Sequence, residues 1–190
     1  MDRTIYQVKQ PTLQTQRLTL RPFCLADAGD VQNLAGAREI AATTLNIPHP
    51  YEDGMALEWI KTHPTAFSEG KDVNFAIALN NTGKLCGAIG LGINQEHNHA
   101  ELGYWIGKPY WGQGYCTEAA KTVLRYGFDK LGLHRICASD FSHNPASGRV
   151  MQKIGMTYEG CRRQHICKWG QYEDIIDYGI LKSQWQNLES

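Results

Sequence analysis

The chain has 190 residues, 42% hydrophobic and 20% charged, with 19 Lys and Arg balanced by 19 Asp and Glu. That length can bury a sizeable core, and the composition is globular rather than disordered. Zero net charge leaves no electrostatic footprint for nucleic acid or an anionic membrane, and no apolar stretch approaches the roughly 20 residues of a membrane span, so neither is an expected partner.

Met1-Asp2-Arg3-Thr4 lacks the apolar core of a signal peptide, and residues 1–14 read as a loose polar arm. Arg17-Leu18-Thr19-Leu20-Arg21-Pro22 alternates and predicts a first strand stopped by Pro22. A short helix is expected from Leu25 to about Ala35, and residues 40–51 show no clear period. Asp53 is the expected N-cap of a helix through Met55, Trp59 and Ile60, with Pro64 expected to break or kink it. Residues 73–79 alternate, Asn80-Asn81-Thr82-Gly83 is a turn, and residues 85–93 alternate with small residues on one face. With 100–106 they predict three consecutive antiparallel strands.

Pro109-Tyr110-Trp111-Gly112-Gln113-Gly114-Tyr115-Cys116-Thr117 follows directly, and an amphipathic helix begins inside it. Two glycines one residue apart permit a sharp turn that uncovers backbone N–H groups. The helix start adds unpaired donors and the positive end of its dipole, a combination suited to a pyrophosphate. A lone Gly-x-Gly is more often an ordinary turn, so the surrounding pattern must decide. Ala120, Val123, Leu124, Gly127, Phe128 and Leu131 form one apolar helix face that Gly132 ends. Residues 135–139 read as a strand, and Asn144-Pro145 opens a helix ending near Ile154-Gly155. Two strands over about 157–167 and 172–181 close the chain. The order β-α-α-β-β-β-α-β-α-β-β predicts an α/β (α+β) fold with a mixed, mostly antiparallel central sheet and helices on both faces.

Five ordered motifs then carry a resemblance. They are Ala-Glu-Leu-Gly-Tyr-Trp-Ile (100–106), Tyr-Trp-Gly-Gln-Gly-Tyr-Cys-Thr-Glu-Ala (110–119), Leu-Gly-Leu-His-Arg-Ile (131–136), Asn-Pro-Ala-Ser (144–147) and Lys-Ile-Gly-Met-Thr-Tyr-Glu-Gly (153–160). They resemble the acetyl-CoA binding core of the GNAT N-acetyltransferases. Within that superfamily they are most similar to the RimJ/RimL branch, which acetylates ribosomal-protein N-termini, and Arg-Leu-Thr-Leu-Arg-Pro-Phe (17–23) fits the same branch. The resemblance implies one GNAT domain over 15–185 and an acyltransferase using acetyl-CoA as co-substrate without a metal. The implied acceptor is a protein or peptide N-terminal α-amine or an amino-acid-like small amine. The implied cofactor residues are Ile106, Trp111, Gly112, Gln113, Gly114, Tyr115, Cys116, Thr117 and Asn144, with an open edge of the adjoining strand pairing with the pantetheine amides. A Rossmann reading is weaker, since its third glycine falls on Thr117 after a meander, and a Walker loop lacks its Gly-Lys-Ser/Thr. Two positions depart from the superfamily. Pro109 replaces the polar residue that often opens the loop, and Met151 stands where many relatives carry a general-acid tyrosine.

In the implied reaction a neutral amine attacks the thioester, and a backbone N–H near Ile106 or Gly107 is the expected oxyanion donor. Ser147 is the candidate partner of the departing thiolate, the alternative being a small residue chosen for packing. Asn144 contacts the cofactor or serves as helix N-cap. Glu101, flanked by apolar residues, is expected to be buried and to act as base, the alternative being a structural carboxylate. His165 is a second base candidate, or an exposed strand histidine; the glutamate that the ribosomal branch places near 166 is Ile166 here. Cys161, His165 and Cys167 on one strand do not close a tetrahedral metal site. Trp59, Tyr104, Trp105, Tyr110 and Trp111 line an acceptor pocket or pack in the core. The segments 47–60 and 162–175 are expected to hold the acceptor. Six scattered cysteines suit the reduced thiols of a cytoplasmic protein. A different class, a CoA-binding sensor or interaction module without catalysis, is disfavoured by the joint presence of Glu101 and Ser147. Oligomeric state stays open, a homodimer among the options.

Overall fold

The computed structural model describes residues 9–189. Its centre is an eight-stranded sheet of order β1-β2-β3-β4-β5-β6-β8-β7. The strands are β1 (Leu13–Gln14), β2 (Leu18–Pro22), β3 (Asp72–Leu79), β4 (Leu85–Asn94), β5 (His99–Ile106), β6 (Arg135–Phe141), β7 (Thr157–Lys168) and β8 (Gln171–Leu181). Short turns join β3, β4 and β5 into the expected antiparallel meander. Helix α4 (Tyr115–Arg125) carries the chain across the sheet, so β5 and β6 alone run parallel. Helices α1 (Ala28–Ala35), α2 (Arg38–Ala42) and α3 (Met55–Ser68) cover one face, packing Val31, Ile40 and Ile60 against Ala76, Ala88 and Trp105. Helices α4, α5 (Pro145–Lys153) and α6 (Lys182–Glu189) cover the other, where Ala120, Val123, Leu124 and Met151 meet Phe75, Ile89, Leu102 and Ile136. The apolar stripe seen in the sequence is thus the buried face of α4, prolonged by a wide turn through the buried Phe128.

Several local expectations fail for physical reasons. Leu13–Gln14 pair with Leu20 and Thr19 instead of lying loose; the part of the expected arm over 1–8 lies outside the described residues. Gly54, at φ +87°, takes the N-cap position of α3, and the Asp53 carboxylate instead accepts a 2.6 Å bond from Gln32 Nε2. Pro64 lies within α3 without ending it, since Ala56, Ile60 and His63 keep that helix seated on the sheet. Helix α6 has no apolar period to announce it. Its anchor is Trp185, stacked on Phe128 at 5.9 Å, and its start is tied by Gln184 Oε1, which accepts the Leu181 N–H.

Candidate active site

The sheet opens between β5 and β6. Only His99, Ala100 and Glu101 pair with Arg135, Ile136 and Cys137; beyond them both strands continue without pairing each other. Gly107 N–H donates to Cys86 O at 2.8 Å, and the two-residue period of the ladder turns the N–H and C=O of Leu102, Tyr104 and Ile106 into the gap. The bond from Ser142 N–H to Asp174 O likewise turns Ser139 and Phe141 toward it from β6. An extended amide-bearing chain could pair with either edge. Of the two backbone oxyanion candidates, Gly107 is therefore committed to β4 and Ile106 N–H faces the gap. Trp111 Nε1 donates to Ile106 O at 2.5 Å and closes the end of this edge.

The glycine turn lies where β5 delivers it. Gly112 and Gly114 have φ of +73° and +78°, a backbone region that side chains strain, and Gly114 is the residue from which α4 starts. Arg17, the first residue of the Arg-Leu-Thr-Leu-Arg-Pro-Phe run, is built into this turn. Its Nη1 donates to Gln113 O at 2.9 Å, its Nε to Glu118 Oε2 at 2.6 Å, and its guanidinium lies 4.7 Å from the centre of the Tyr115 ring. Burial alone would push the Glu118 carboxyl up. Bonds from Thr15 and from the Arg17 backbone and side chain outweigh it and hold that carboxyl below the usual range. Cys116 is half-buried here against the core, and burial pushes its thiol up to about 12, a neutral packing residue.

On the α4–α5 face, Tyr104 reaches from β5 to the first turn of α5, with its Oη 2.8 Å from Ser147 Oγ and 3.3 Å from Ser147 O. The aromatic grouping predicted for an acceptor pocket thus separates: Tyr104 faces Ser147, Trp105 is buried in the core and Trp59 packs on Phe23 at 5.1 Å. Asn144 stands at the N-cap of α5 as expected, with Pro145 opening the helix; its side chain makes no capping bond, and its carbonyl accepts Ser147 N–H at 3.0 Å. Beneath that turn lies Asp140, 8% exposed, with Oδ1 unpartnered among the described residues. Burial pushes its carboxyl up to about 6, opposed by a bond from Gly148 N–H. Met151 is fully buried in the core.

Glu101 lies on the opposite face. It is exposed, which corrects the expectation of burial. Its apolar neighbours Ala100 and Leu102 point the other way, into the α4–α5 core. Glu101 lines a cleft of ≈ 340 Å³ with Arg135, Ser139, Glu159, Arg162 and Asp177 among its walls. Arg162 binds Asp177 through two bonds of 2.7 Å, and Arg135 pairs with Glu159. His165 is exposed, and its Nε2 lies 2.7 Å from Arg162 Nη1, which can only donate to it. The structure thus places Glu101 by the gap on one face and Ser147 on the other, and leaves His165 engaged with Arg162.

Of the segments expected to hold the acceptor, 162–175 meets 47–60 through Trp169 and His49, and it also reaches residues 38–44. Lys168, at the tip of the β7–β8 hairpin, donates to Thr44 O, and Trp169 lies 5.8 Å from the Arg38 guanidinium and 6.2 Å from the His49 ring. His143 stands between Glu173 Oε2 and Ala42 O, at 3.0 and 3.3 Å. No sequence motif marks these contacts.

Residues 17–157 match the family model of the acetyltransferase (GNAT) domain. The chain is 32% identical to the uncharacterized N-acetyltransferase YoaA of Bacillus subtilis over 173 residues, 90% of this chain and 97% of that protein. It is 31% identical to the [ribosomal protein uS5]-alanine N-acetyltransferase of Escherichia coli over 84 residues, 44% of this chain and 43% of that one. A chimera of the Vibrio cholerae spermidine N-acetyltransferase SpeG with hSSAT superposes with a TM-score of 0.76 at 26% identity, covering 90% of this chain and 98% of that one.

Proposed function

Since the chain belongs to the GNAT acetyltransferases, we propose that it moves the acetyl group of acetyl-CoA directly onto the α-amine of a peptide or amino acid, in the cytoplasm. One observation carries this reading: a gap in the sheet with free backbone edges, a hydroxyl pair on one face and Glu101 on the other. The glycine turn and the start of α4 receive the pyrophosphate, and the β5 edge pairs with the pantetheine amides. The amine arrives from the Glu101 face. Its nitrogen bonds to the acetyl carbon while the C–S bond breaks, and the amine proton passes to Glu101 or to water. Ile106 N–H faces the developing oxyanion, and the Ser147 hydroxyl donates a hydrogen bond to the departing thiolate. A thiolate whose conjugate acid has a pKa of about 8.5 needs no stronger help.

The acceptor class follows from charge. The cleft around Glu101 mixes three carboxylates with two arginines, two of those carboxylates already paired, and the chain carries no net charge to draw in a polycation. Of an α-amine with a pKa of about 7.7–8, roughly a tenth to a sixth is already neutral at pH 7, whereas well under a hundredth of an amine with a pKa of about 10.4 is. The test compares kcat/KM for short N-terminal peptides, amino acids and spermidine at several pH values, read as free CoA release. α-Amines should win, with a rate rising through the pH range in which the amine deprotonates. A preference for spermidine would discard the acceptor class and leave acetyl transfer standing; no turnover with any amine would discard both. Ser147→Ala should lower kcat by about 10- to 100-fold with the KM for acetyl-CoA little changed.

A further inference from the structure

Tyr104 points its side chain into the α4–α5 layer three residues beyond Glu101, the last β5 residue paired with β6. Its Oη touches two atoms of one residue, Ser147 Oγ at 2.8 Å and Ser147 O at 3.3 Å. We propose that Tyr104 is a positioning residue that fixes the Ser147 hydroxyl as a donor toward the leaving thiolate, an inference resting on the role given to Ser147 above.

The argument concerns where one proton points. A serine hydroxyl rotates freely, and in the first turn of a helix it tends to spend its proton on a nearby backbone carbonyl. A donor placed against Ser147 Oγ fills one lone pair and leaves the serine's own O–H to be directed elsewhere. Tyr104 can be that donor because the shorter of its two contacts is to Oγ. The opposite arrangement, in which Ser147 donates to Tyr104 and Tyr104 donates to Ser147 O, relies on the longer contact of 3.3 Å. Burial, above all other influences, pushes the Tyr104 hydroxyl well above the usual tyrosine range, so it keeps its proton and acts as a fixed donor rather than a relay. Pairing across the gap also explains how the site works with Met151 where a general-acid tyrosine is expected. A tyrosine hydroxyl is present, but it comes from β5 and acts through Ser147.

Tyr104→Phe keeps the ring and removes the hydroxyl. The measurement is the single-turnover rate of CoA release, with the best amine from the acceptor screen and, independently of that screen, with water as acceptor. We expect a loss of about 10-fold in Tyr104→Phe, with CoA affinity within about twofold of wild type. Ser147→Ala should be slower still, and the Tyr104→Phe/Ser147→Ala protein should match Ser147→Ala alone, because Tyr104 has nothing left to position. A ring-fluorinated tyrosine at 104, which keeps a hydroxyl donor, should retain the wild-type rate and separates loss of positioning from loss of packing. An unchanged rate in Tyr104→Phe beside a slow Ser147→Ala overturns this proposal alone, as do effects that multiply in the double variant. An unchanged rate in Ser147→Ala overturns the role of Ser147 and this inference with it.

Discussion

The two faces of the β5–β6 gap are built by different means. On the proposed cofactor side the groups on offer are main-chain N–H and C=O groups of one continuous stretch, from the free edge of β5 through Gly112 and Gly114 into α4. On the acceptor side they are side chains brought together from far apart. His143 meets a carbonyl 101 positions away, and Lys168 one 124 positions away. Backbone geometry tolerates many sequences, whereas a wall of side chains changes with each substitution. The chain is similar both to a protein whose name carries a ribosomal protein and to one whose name carries spermidine.

The largest expected effect is on the cofactor side. Gly114→Glu should reduce CoA affinity by at least about 100-fold, because it places a side chain at φ +78° and a negative charge where a pyrophosphate is to sit. Calorimetry on the folded variant measures this, and unchanged affinity would show that the turn is not the cofactor site. The contacts joining the hairpin tip to residues 38–49 should survive the substitution.

A smaller effect is expected at Asp140, beneath the turn that presents Ser147. Its folded-state carboxyl is raised from 3.8 to about 6, so the folded protein holds this proton more tightly than the unfolded chain does. Stability from this group is therefore fully present at acid pH and is lost as pH rises from about 4 through about 6. Asp140→Asn removes the charge and keeps an oxygen for Gly148 N–H. It should raise unfolding stability by about 1–3 kcal/mol at pH 7.5, with the gain vanishing near pH 4. Urea titrations at both pH values check the sign. Destabilisation at pH 7.5 would mean that the anion, not the neutral acid, supports the α5 turn.

The same contrast explains what the sequence revealed. The meander, α4 and the strand pair at the end of the chain follow from periods of two and 3.6 residues, and the glycine turn from a run of adjacent residues. Glu101 was misjudged because flanking residues in a strand face the opposite side: Ala100 and Leu102 being buried says nothing about the residue between them. The Tyr104–Ser147 pair joins residues 43 positions apart and depends on how far β5 and β6 diverge, which no local pattern encodes. Trp169-Gly170 reads as part of the closing turn, but nothing in the sequence marks the φ of +50° at Trp169 or its approach to Arg38 and His49.

The smallest effect should come from that hairpin tip, and it tests whether the two faces are independent. Lys168 is partly buried against the Thr44 and Leu45 carbonyls, where burial lowers its ammonium pKa, and Trp169 stacks near Arg38. Both contacts are half in water, and such contacts are each worth about 1 kcal/mol or less. Under the proposed function they hold the acceptor wall in place before substrate arrives, which would save ordering cost at binding. The Lys168→Ala/Trp169→Gly protein should therefore show a KM for a peptide acceptor raised by about three- to tenfold, with kcat at saturating acceptor nearly unchanged. Its CoA affinity should stay within about twofold of wild type, because the tip's contacts described above run to residues 38–49 and not to the glycine turn. Steady-state kinetics in the acceptor, beside calorimetry with CoA, separates the outcomes. A fall in CoA affinity of the same size as the rise in KM would show that the two faces are coupled through the sheet. An unchanged KM would show that the acceptor does not reach the hairpin and is held by the cleft around Glu101 alone.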